Sequence, residues 1–194
     1  MISSTDAGPF WPAAIEISAL YGGVVRSVLM DGVHALGTPM RCLNESGLLE
    51  NVIFTNGYLA TPSVGGMSNV NIEGGISATL SNSFIGGFNG NNVDIGTVAL
   101  AQGTRVLNCT LAGVNTGSVG IALGGANGSF ILGNFFSIQP GASNTTGIAT
   151  DVAEFTGTTR ATIHLNDVRA VTTGIVCPRG GGSNISDNPG AKDC

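Results

Sequence analysis

Two carboxylates, Glu73 and Asp94, are the residues of this 194-residue chain best placed to do chemistry together. In "NNVDIGT" the alternation of a strand turns Val93 and Ile95 inward, so Asp94 should point outward. In the equivalent earlier segment, "VNIEGG", Glu73 should lie near the same outer face. A glycoside hydrolase needs such a pair of carboxylates to flank the bond that it cleaves. Outward carboxylates are also ordinary solvated surface, and the sequence leaves that interpretation open.

A second group of ionisable residues lies further along, where Asp151 and Glu154 precede Arg160 and His164. The two carboxylates and the arginine are typical of a solvated loop with an ion pair. His164 stands in "TIHLN" between two apolar residues that are expected to point inward, which predicts a surface position for its imidazole. No metal and no cofactor is predicted.

The four cysteines, at positions 42, 109, 177 and 194, show no C-x-x-C or zinc-like spacing. Cys42 and Cys177 are interpreted as small buried hydrophobes. A pairing of Cys177 with Cys194 near the C-terminus is the alternative, and the sequence does not decide between the two.

The composition excludes several classes of protein. Charged residues make up only 10% of the chain and glycine accounts for 31 residues, unlike a disordered sequence. A net charge of −5 with a single lysine disfavours a nucleic-acid groove. No apolar run is long enough to span a membrane, and no basic stretch followed by an apolar run indicates a secretion signal.

An internal repeat organises most of the chain. Six short apolar segments each contain an asparagine, and these asparagines are spaced by 31, 26, 26, 32 and 22 residues. A weaker earlier copy, "VVRSVLMDG", has Ser27 in the place of the asparagine. The asparagines of the six segments are Asn51, Asn82, Asn108, Asn134, Asn166 and Asn188.

A "G-I-x-x" strand recurs between these asparagines, which predicts three short strands per repeat and no crossover helix. Repeats of about 25 residues with this content fold as a parallel β-helix, in which each strand pairs with its equivalent one coil above and below. Inward side chains should then stack in columns. One predicted column holds Ile72, Ile95, Leu123 and Cys177, and another holds Leu80, Leu107 and Leu132.

The asparagines have a physical role in this arrangement. Asparagine tolerates the left-handed backbone of a tight corner better than β-branched residues do. Its side-chain amide can also bond to the equivalent amide of the next coil. The six asparagines are therefore predicted to form one ladder along the β-helix.

The segment "GIALGGANGSFILGNFF" (120–136) and its copies resemble the right-handed parallel β-helix superfamily, which includes pectate lyases and bacteriophage tailspikes. The resemblance lies in the order of a G-I-x-L strand, a glycine turn, a strand, an asparagine and a short strand. It covers about residues 24–190 and implies an all-β, right-handed parallel β-helix of six or seven coils. It also implies either an elongated prism that commonly trimerises on virions or a carbohydrate-active enzyme with a groove along one face.

The domain organisation follows from the repeat. Residues 1–23 are predicted to form an N-terminal cap or connector, 24–190 the β-helix, and 191–194 a C-terminal tail. No apolar cap follows Asn188, so another subunit, another domain or a missing segment is expected to cover that end. One outward column turns apolar toward the C-terminus, which suits a contact between subunits. Its members are Asn71, Asp94, Ala122, Ala149 and Val176.

The resemblance favours a structural and receptor-binding β-helix of a phage tail spike or fibre. Such a protein would be a homotrimer on the virion tail, in contact with other tail proteins and with host-surface polysaccharide outside the cell. The alternative is a polysaccharide lyase or glycosidase that uses Glu73 and Asp94, so the sequence leaves open whether the protein is an enzyme. A bacterial surface adhesin is a third possibility, disfavoured by the missing signal.

Overall fold

The chain folds as a parallel β-solenoid. The structure, a computed structural model, describes residues 2–3, 15–19, 24–32, 34–36, 40–44, 48–60, 70–74, 76–86, 90–97, 100–150, 160–177 and 183–190. Every strand pairing within these ranges is parallel, and they contain no helix.

Short strands make up the described chain. The first eleven are β1 (Ile2–Ser3), β2 (Ile15–Ala19), β3 (Val24–Asp31), β4 (His34–Leu36), β5 (Met40–Asn44), β6 (Leu48–Thr55), β7 (Tyr58–Ala60), β8 (Val70–Glu73), β9 (Thr79–Ser81), β10 (Phe84–Gly86) and β11 (Val93–Ile95). The others are β12 (Ala101–Gln102), β13 (Arg105–Leu107), β14 (Thr110–Val114), β15 (Val119–Leu123), β16 (Ala126–Asn127), β17 (Ser129–Leu132), β18 (Phe135–Ile138), β19 (Thr146–Thr150), β20 (Ala161–His164), β21 (Thr173–Val176) and β22 (Asn184–Ser186).

These strands line three sides of the solenoid. Sheet A has the order β1-β4-β7-β10-β14-β18, sheet B the order β2-β5-β8-β11-β15-β19-β21, and sheet C the order β3-β6-β9-β13-β17-β20-β22. The pair β12-β16 lies beside sheet C. Because each strand pairs with its equivalent in the next coil, residues about one repeat apart become neighbours at about 4.8 Å.

About four turns, between Val70 and Val168, are described on all three sides with few gaps. That number is smaller than the six or seven coils predicted from the repeats. Strands before and after these turns extend the sheets. Residues 15–19 of the predicted cap are among them, because β2 pairs with β5 in sheet B.

The core consists of inward apolar columns. Ile72, Ile95 and Leu123 are register neighbours in sheet B and are buried, as predicted. The second predicted column holds only in part: Leu107 and Leu132 are register partners, but both are partly exposed, and Leu80 pairs with Val106 instead of Leu107. A shift of one residue along a strand moves a side chain to the opposite face.

The apolar outward column of sheet B has the predicted register, since Asp94 lies opposite Ala122 and Ala122 opposite Ala149. However, Ala122 is only 1% exposed and Ala149 only 3% exposed, because other parts of the same chain cover them. These two alanines therefore provide no free surface for a subunit contact.

The corner where sheet C turns into sheet A determines where the candidate site lies, and we call it the CA corner. One residue of each coil has a positive φ there, between +49° and +66°. Backbone hydrogen bonds from one such residue to the coil beyond keep the corners in line, as in Asn82 N–H to Leu107 O at 2.9 Å. The corner residues are Gly32, Asn56, Asn82, Asn108, Gly133, Leu165 and Asp187.

Candidate functional site

Of the two predicted catalytic carboxylates, the structure describes the side chain of Asp94 but not that of Glu73. Asp94 lies in β11 opposite Asn71, is partly exposed, and accepts a hydrogen bond from Asn91 Nδ2 at 2.8 Å. The Oδ1 atom of Asn71 is buried and lacks a hydrogen-bond partner. Glu73 ends β8, and its side chain lies outside the described part of the structure. The pairing of Glu73 with Asp94 therefore stays a prediction.

Three of the six predicted ladder asparagines stack on one another, at the position that follows the corner residue. Asn134 Nδ2 donates to Asn166 Oδ1 at 2.9 Å, and Asn166 Nδ2 donates to Asn188 Oδ1 at 2.9 Å. Each Oδ1 atom also accepts the backbone N–H of the coil before, as in Asn134 N–H to Asn166 Oδ1 at 3.0 Å. Asn134 and Asn166 are almost completely buried, so these bonds satisfy groups that water cannot reach.

The other three asparagines lie elsewhere. Asn82 and Asn108 occupy the CA corner itself, one residue before the ladder position, with φ of +49° and +53° and exposed side chains. Asn51 lies at a different corner, where its N–H bonds to Ile76 O at 2.9 Å. The six asparagines therefore do not form one column. Aligning the repeats on asparagine shifted the earlier coils by one residue.

In those earlier coils the ladder position holds Ser83 and Cys109. The Cys109 thiol occupies the place of the asparagine amide, with its Sγ 3.8 Å from Leu80 O. In the next coil, Asn134 Nδ2 donates to the equivalent carbonyl oxygen, that of Val106. Burial raises the pKa of the Cys109 thiol to about 11, while backbone hydrogen bonds act in the opposite direction. This cysteine is therefore a buried structural group and not a nucleophile.

Cys177 differs from its predicted role as a free buried hydrophobe, because it is disulfide-bonded. It follows β21, in line with Thr150 of the coil before. The proposed pairing with Cys194 lies outside the described residues, and so does the side chain of Cys42.

The second predicted cluster is only partly described, since Asp151 and Glu154 lie outside the described residues. Arg160 is exposed, and its carbonyl accepts the N–H of Gly128 at 2.7 Å. His164 lies at the surface, as predicted, with 34% of its side chain accessible.

A surface that the sequence did not predict surrounds the CA corner between β17 and β20. Phe130 lies on the outer side of sheet C and Phe135 on the outer side of sheet A, five residues apart across the corner, and they are 39% and 50% exposed. In the next coil Thr162 lies opposite Phe130, and Asp167 lies opposite Phe135. We call this the corner surface; it comprises Phe130, Phe135, Thr162, His164, Leu165, Asp167 and Arg169.

Polar groups stand beside both rings. Arg169 bonds to the Asp167 carboxylate through two nitrogens, at 2.9 and 2.6 Å, and this arginine holds the pKa of Asp167 below its ordinary value. His164 Nδ1 lies 2.9 Å from Ser186 Oγ and 3.3 Å from Asp187 Oδ2. Because serine and aspartate both approach the same ring nitrogen, this is not the arrangement of a hydrolytic triad.

Leu165 has the most unusual backbone of the corner surface. Its φ is +55°, at a position where the other coils have Gly, Asn or Asp, and its side chain is 59% exposed. A leucine in this conformation costs roughly 1–2 kcal/mol. An exposed apolar residue that costs stability in the folded chain is typical of a place under functional constraint.

Sequence reasoning missed the corner surface because its members belong together only in the solenoid register. The one available signal was that Phe130 and Phe135 flank a glycine and an asparagine in "FILGNF". Alternation around that turn places both rings outward once the turn is recognised as a corner.

Among the described residues, no group of three or more His, Cys, Asp and Glu side chains is arranged to hold a metal ion. The same part of the chain contains no helix with the length and hydropathy needed to cross a membrane.

No family model matches the chain, and no curated protein matches it. Among solved structures, the chain is similar to full-length QnrB1, a plasmid-mediated fluoroquinolone resistance protein. The two are 12% identical over 88% of this chain and 93% of that one, with a TM-score of 0.17, which is too low to support any argument about fold or function. Beyond the parallel solenoid, the resemblance to tailspikes therefore remains a proposal.

Proposed function

We propose that this chain is a structural and receptor-binding solenoid that attaches a larger assembly to surface polysaccharide, as the β-helix of a phage tail spike or fibre does. In this proposal the solenoid is a stiff arm, and the corner surface makes the contact with sugar. The full assembly would be a right-handed, homotrimeric β-helix on a virion tail, next to other tail proteins.

The observation that supports the proposal is the pair of exposed rings on the corner surface. A phenyl face provides apolar contact for a sugar ring, and hydrogen-bonding groups beside it can bind the hydroxyls. Phe130 and Phe135 each have such a neighbour in the next coil, namely the Thr162 hydroxyl and the paired Asp167 carboxylate. The disulfide at Cys177 also fits a protein that works outside a reducing cytosol.

Binding to a panel of bacterial surface polysaccharides tests the proposal, with Phe130→Ala and Phe135→Ala as variants. Covering about 40–60 Å² of each ring contributes about 1–1.5 kcal/mol, so each variant should bind about 5- to 12-fold more weakly. Leu100→Ala is the matched control, because Leu100 is 38% exposed and lies outside the corner surface. Unchanged binding in both phenylalanine variants, or no binding by the unmodified protein, would overturn the proposal.

The trimer is tested separately by light scattering of the purified protein. A mass near three chains supports the proposed assembly. A stable monomer at micromolar concentration removes the trimer but leaves glycan binding to be judged by the panel.

A polysaccharide depolymerase is the second candidate, favoured by the hydrogen bond from Asn91 Nδ2 that holds the Asp94 carboxylate on the outer side of sheet B, where Asp94 lies opposite Asn71. Release of oligosaccharides from the bound polymer would support it. Activity that survives in both Asp94→Asn and Glu73→Gln would exclude this pair as the catalytic residues.

A further inference from the structure

We propose that the sheet C side of the corner surface binds an acidic sugar residue, held by Arg105 and Arg160 on either side of the exposed Phe130 ring. This inference rests on the proposed function and specifies the class of glycan. We call the three residues the arginine cradle.

Arg105 lies directly beside Phe130. The two residues are register partners in β13 and β17, so they lie in adjacent coils about 4.8 Å apart. Both are exposed, and the strands on which they stand are parallel. The guanidinium and the ring therefore open onto the same outer side of sheet C.

Arg160 lies on the other side of the ring. It stands two residues before Thr162, which is the register partner of Phe130 in the next coil. An offset of two residues on an adjacent strand corresponds to a backbone separation of about 8 Å, within reach of a long side chain. The hydrogen bond from Gly128 N–H to Arg160 O, at 2.7 Å, fixes the backbone at this point.

Arg105 and Arg160 differ from Arg26 and Arg169, because the latter two are held in ion pairs. Arg26 pairs with Glu50 at 2.6 Å, and Arg169 pairs with Asp167 at 2.6 Å. Neither Arg105 nor Arg160 forms an ion pair or a side-chain hydrogen bond with any described residue. In a chain of net charge −5, two cations that lack a partner among the described residues, beside one exposed ring, form a local site of opposite sign.

A sugar carboxylate matches this site chemically. Guanidinium groups bind carboxylates through two parallel N–H donors, which is more selective than a point charge. The phenyl ring contacts the apolar face of the same sugar. The Thr162 hydroxyl, one coil beyond the ring, is available to a neighbouring sugar hydroxyl.

The test compares binding to alginate, a polymer of uronic acids, with binding to carboxyl-reduced alginate, which is neutral. The variants are Arg105→Gln, Arg160→Gln and the double substitution. Exposed charge pairs are weak, so each single variant should bind alginate roughly 3-fold more weakly and the double variant roughly 10-fold. Arg26→Gln is the control, because this arginine is exposed but lies away from the arginine cradle, where it pairs with Glu50.

Affinity for alginate that falls in the double variant and with rising salt, and that is lost on carboxyl reduction, supports the inference. Equal binding to both polymers, or an unchanged double variant, overturns the arginine cradle while leaving the proposed function in place. Binding to neither polymer also overturns it, and the polysaccharide panel then decides the proposed function independently.

Discussion

Asn166→Ala should be among the most damaging single substitutions in the described solenoid. The Asn166 side chain takes part in five hydrogen bonds, and the residue is fully buried. Its Oδ1 accepts from the backbone and the side chain of Asn134. The two hydrogens of its Nδ2 are donated to Ile131 O and Asn188 Oδ1, and one of them is shared with His164 O. Alanine removes all five bonds and adds no group in their place.

The expected loss follows from the groups that remain without partners. A buried donor or acceptor left unsatisfied costs about 1–3 kcal/mol. The backbone N–H of Asn134 loses its acceptor, and Ile131 O loses a donor, whereas His164 O keeps its bond from Gly133 N–H at 3.1 Å. With about 1–2 kcal/mol for each of the first two groups, the free energy of unfolding should fall by about 2–4 kcal/mol.

Asn108→Gly is the matched control, because Asn108 is also an asparagine of the repeat but lies at the CA corner with its side chain exposed. Glycine adopts its φ of +53° without steric cost, so stability should change by less than about 0.5 kcal/mol. Urea denaturation followed by far-ultraviolet circular dichroism measures both variants, with the slope compared to detect loss of cooperativity.

Two outcomes would refute the reasoning. If Asn166→Ala unfolds within about 1 kcal/mol of the unmodified protein, the buried amides do not hold the coils together. If both variants lose stability equally, the ladder position is no more important than the corner position.

Other predictions follow from single contacts. Stability should fall as pH rises from about 9 toward 11, because folding raises the pKa of the Cys109 thiol to about 11 and ionisation of the thiol then favours the unfolded chain. Urea denaturation as a function of pH measures this effect, and Cys109→Ser should remove it. Leu165→Gly should stabilise the solenoid by about 1 kcal/mol, because glycine adopts the left-handed backbone of residue 165 without steric cost, yet it should weaken polysaccharide binding. A loss of stability would show that the leucine is needed for packing. Non-reducing peptide mapping should recover Cys177 joined to Cys194. Cys109 is free, and Cys42 lies five strands from Cys177 in sheet B, a distance of about 24 Å that no disulfide can span. A peptide that joins Cys177 to Cys42 would contradict the register.

The architecture was predictable because it is repeated. The recurring G-I strands establish the register of sheet B without any knowledge of long-range contacts, as the stacking of Ile72 on Ile95 shows. The register predicted for sheet C is shifted by one residue in the earlier coils, because asparagine occupies two adjacent positions of the repeat, the corner and the ladder position. Its left-handed backbone suits the corner in Asn108, and its amide suits the ladder in Asn134.

The candidate site was less predictable for a physical reason. Phe130, Arg105 and Thr162 are more than twenty residues apart along the chain and become neighbours only through the strand register. A one-residue error in the alignment places such residues on opposite faces of a sheet. Ala122 and Ala149 show a second limit, since periodicity indicates that they face outward but not that the chain covers them.

The CA corner also has an evolutionary consequence. Successive corner residues are separated by 25 positions from Asn108 to Gly133, 32 from Gly133 to Leu165 and 22 from Leu165 to Asp187, yet their backbones remain in line. Insertions and deletions are therefore absorbed between fixed corners, without shifting the coils that follow. A chain built in this way can lengthen one loop and acquire a new specificity while its scaffold stays unchanged.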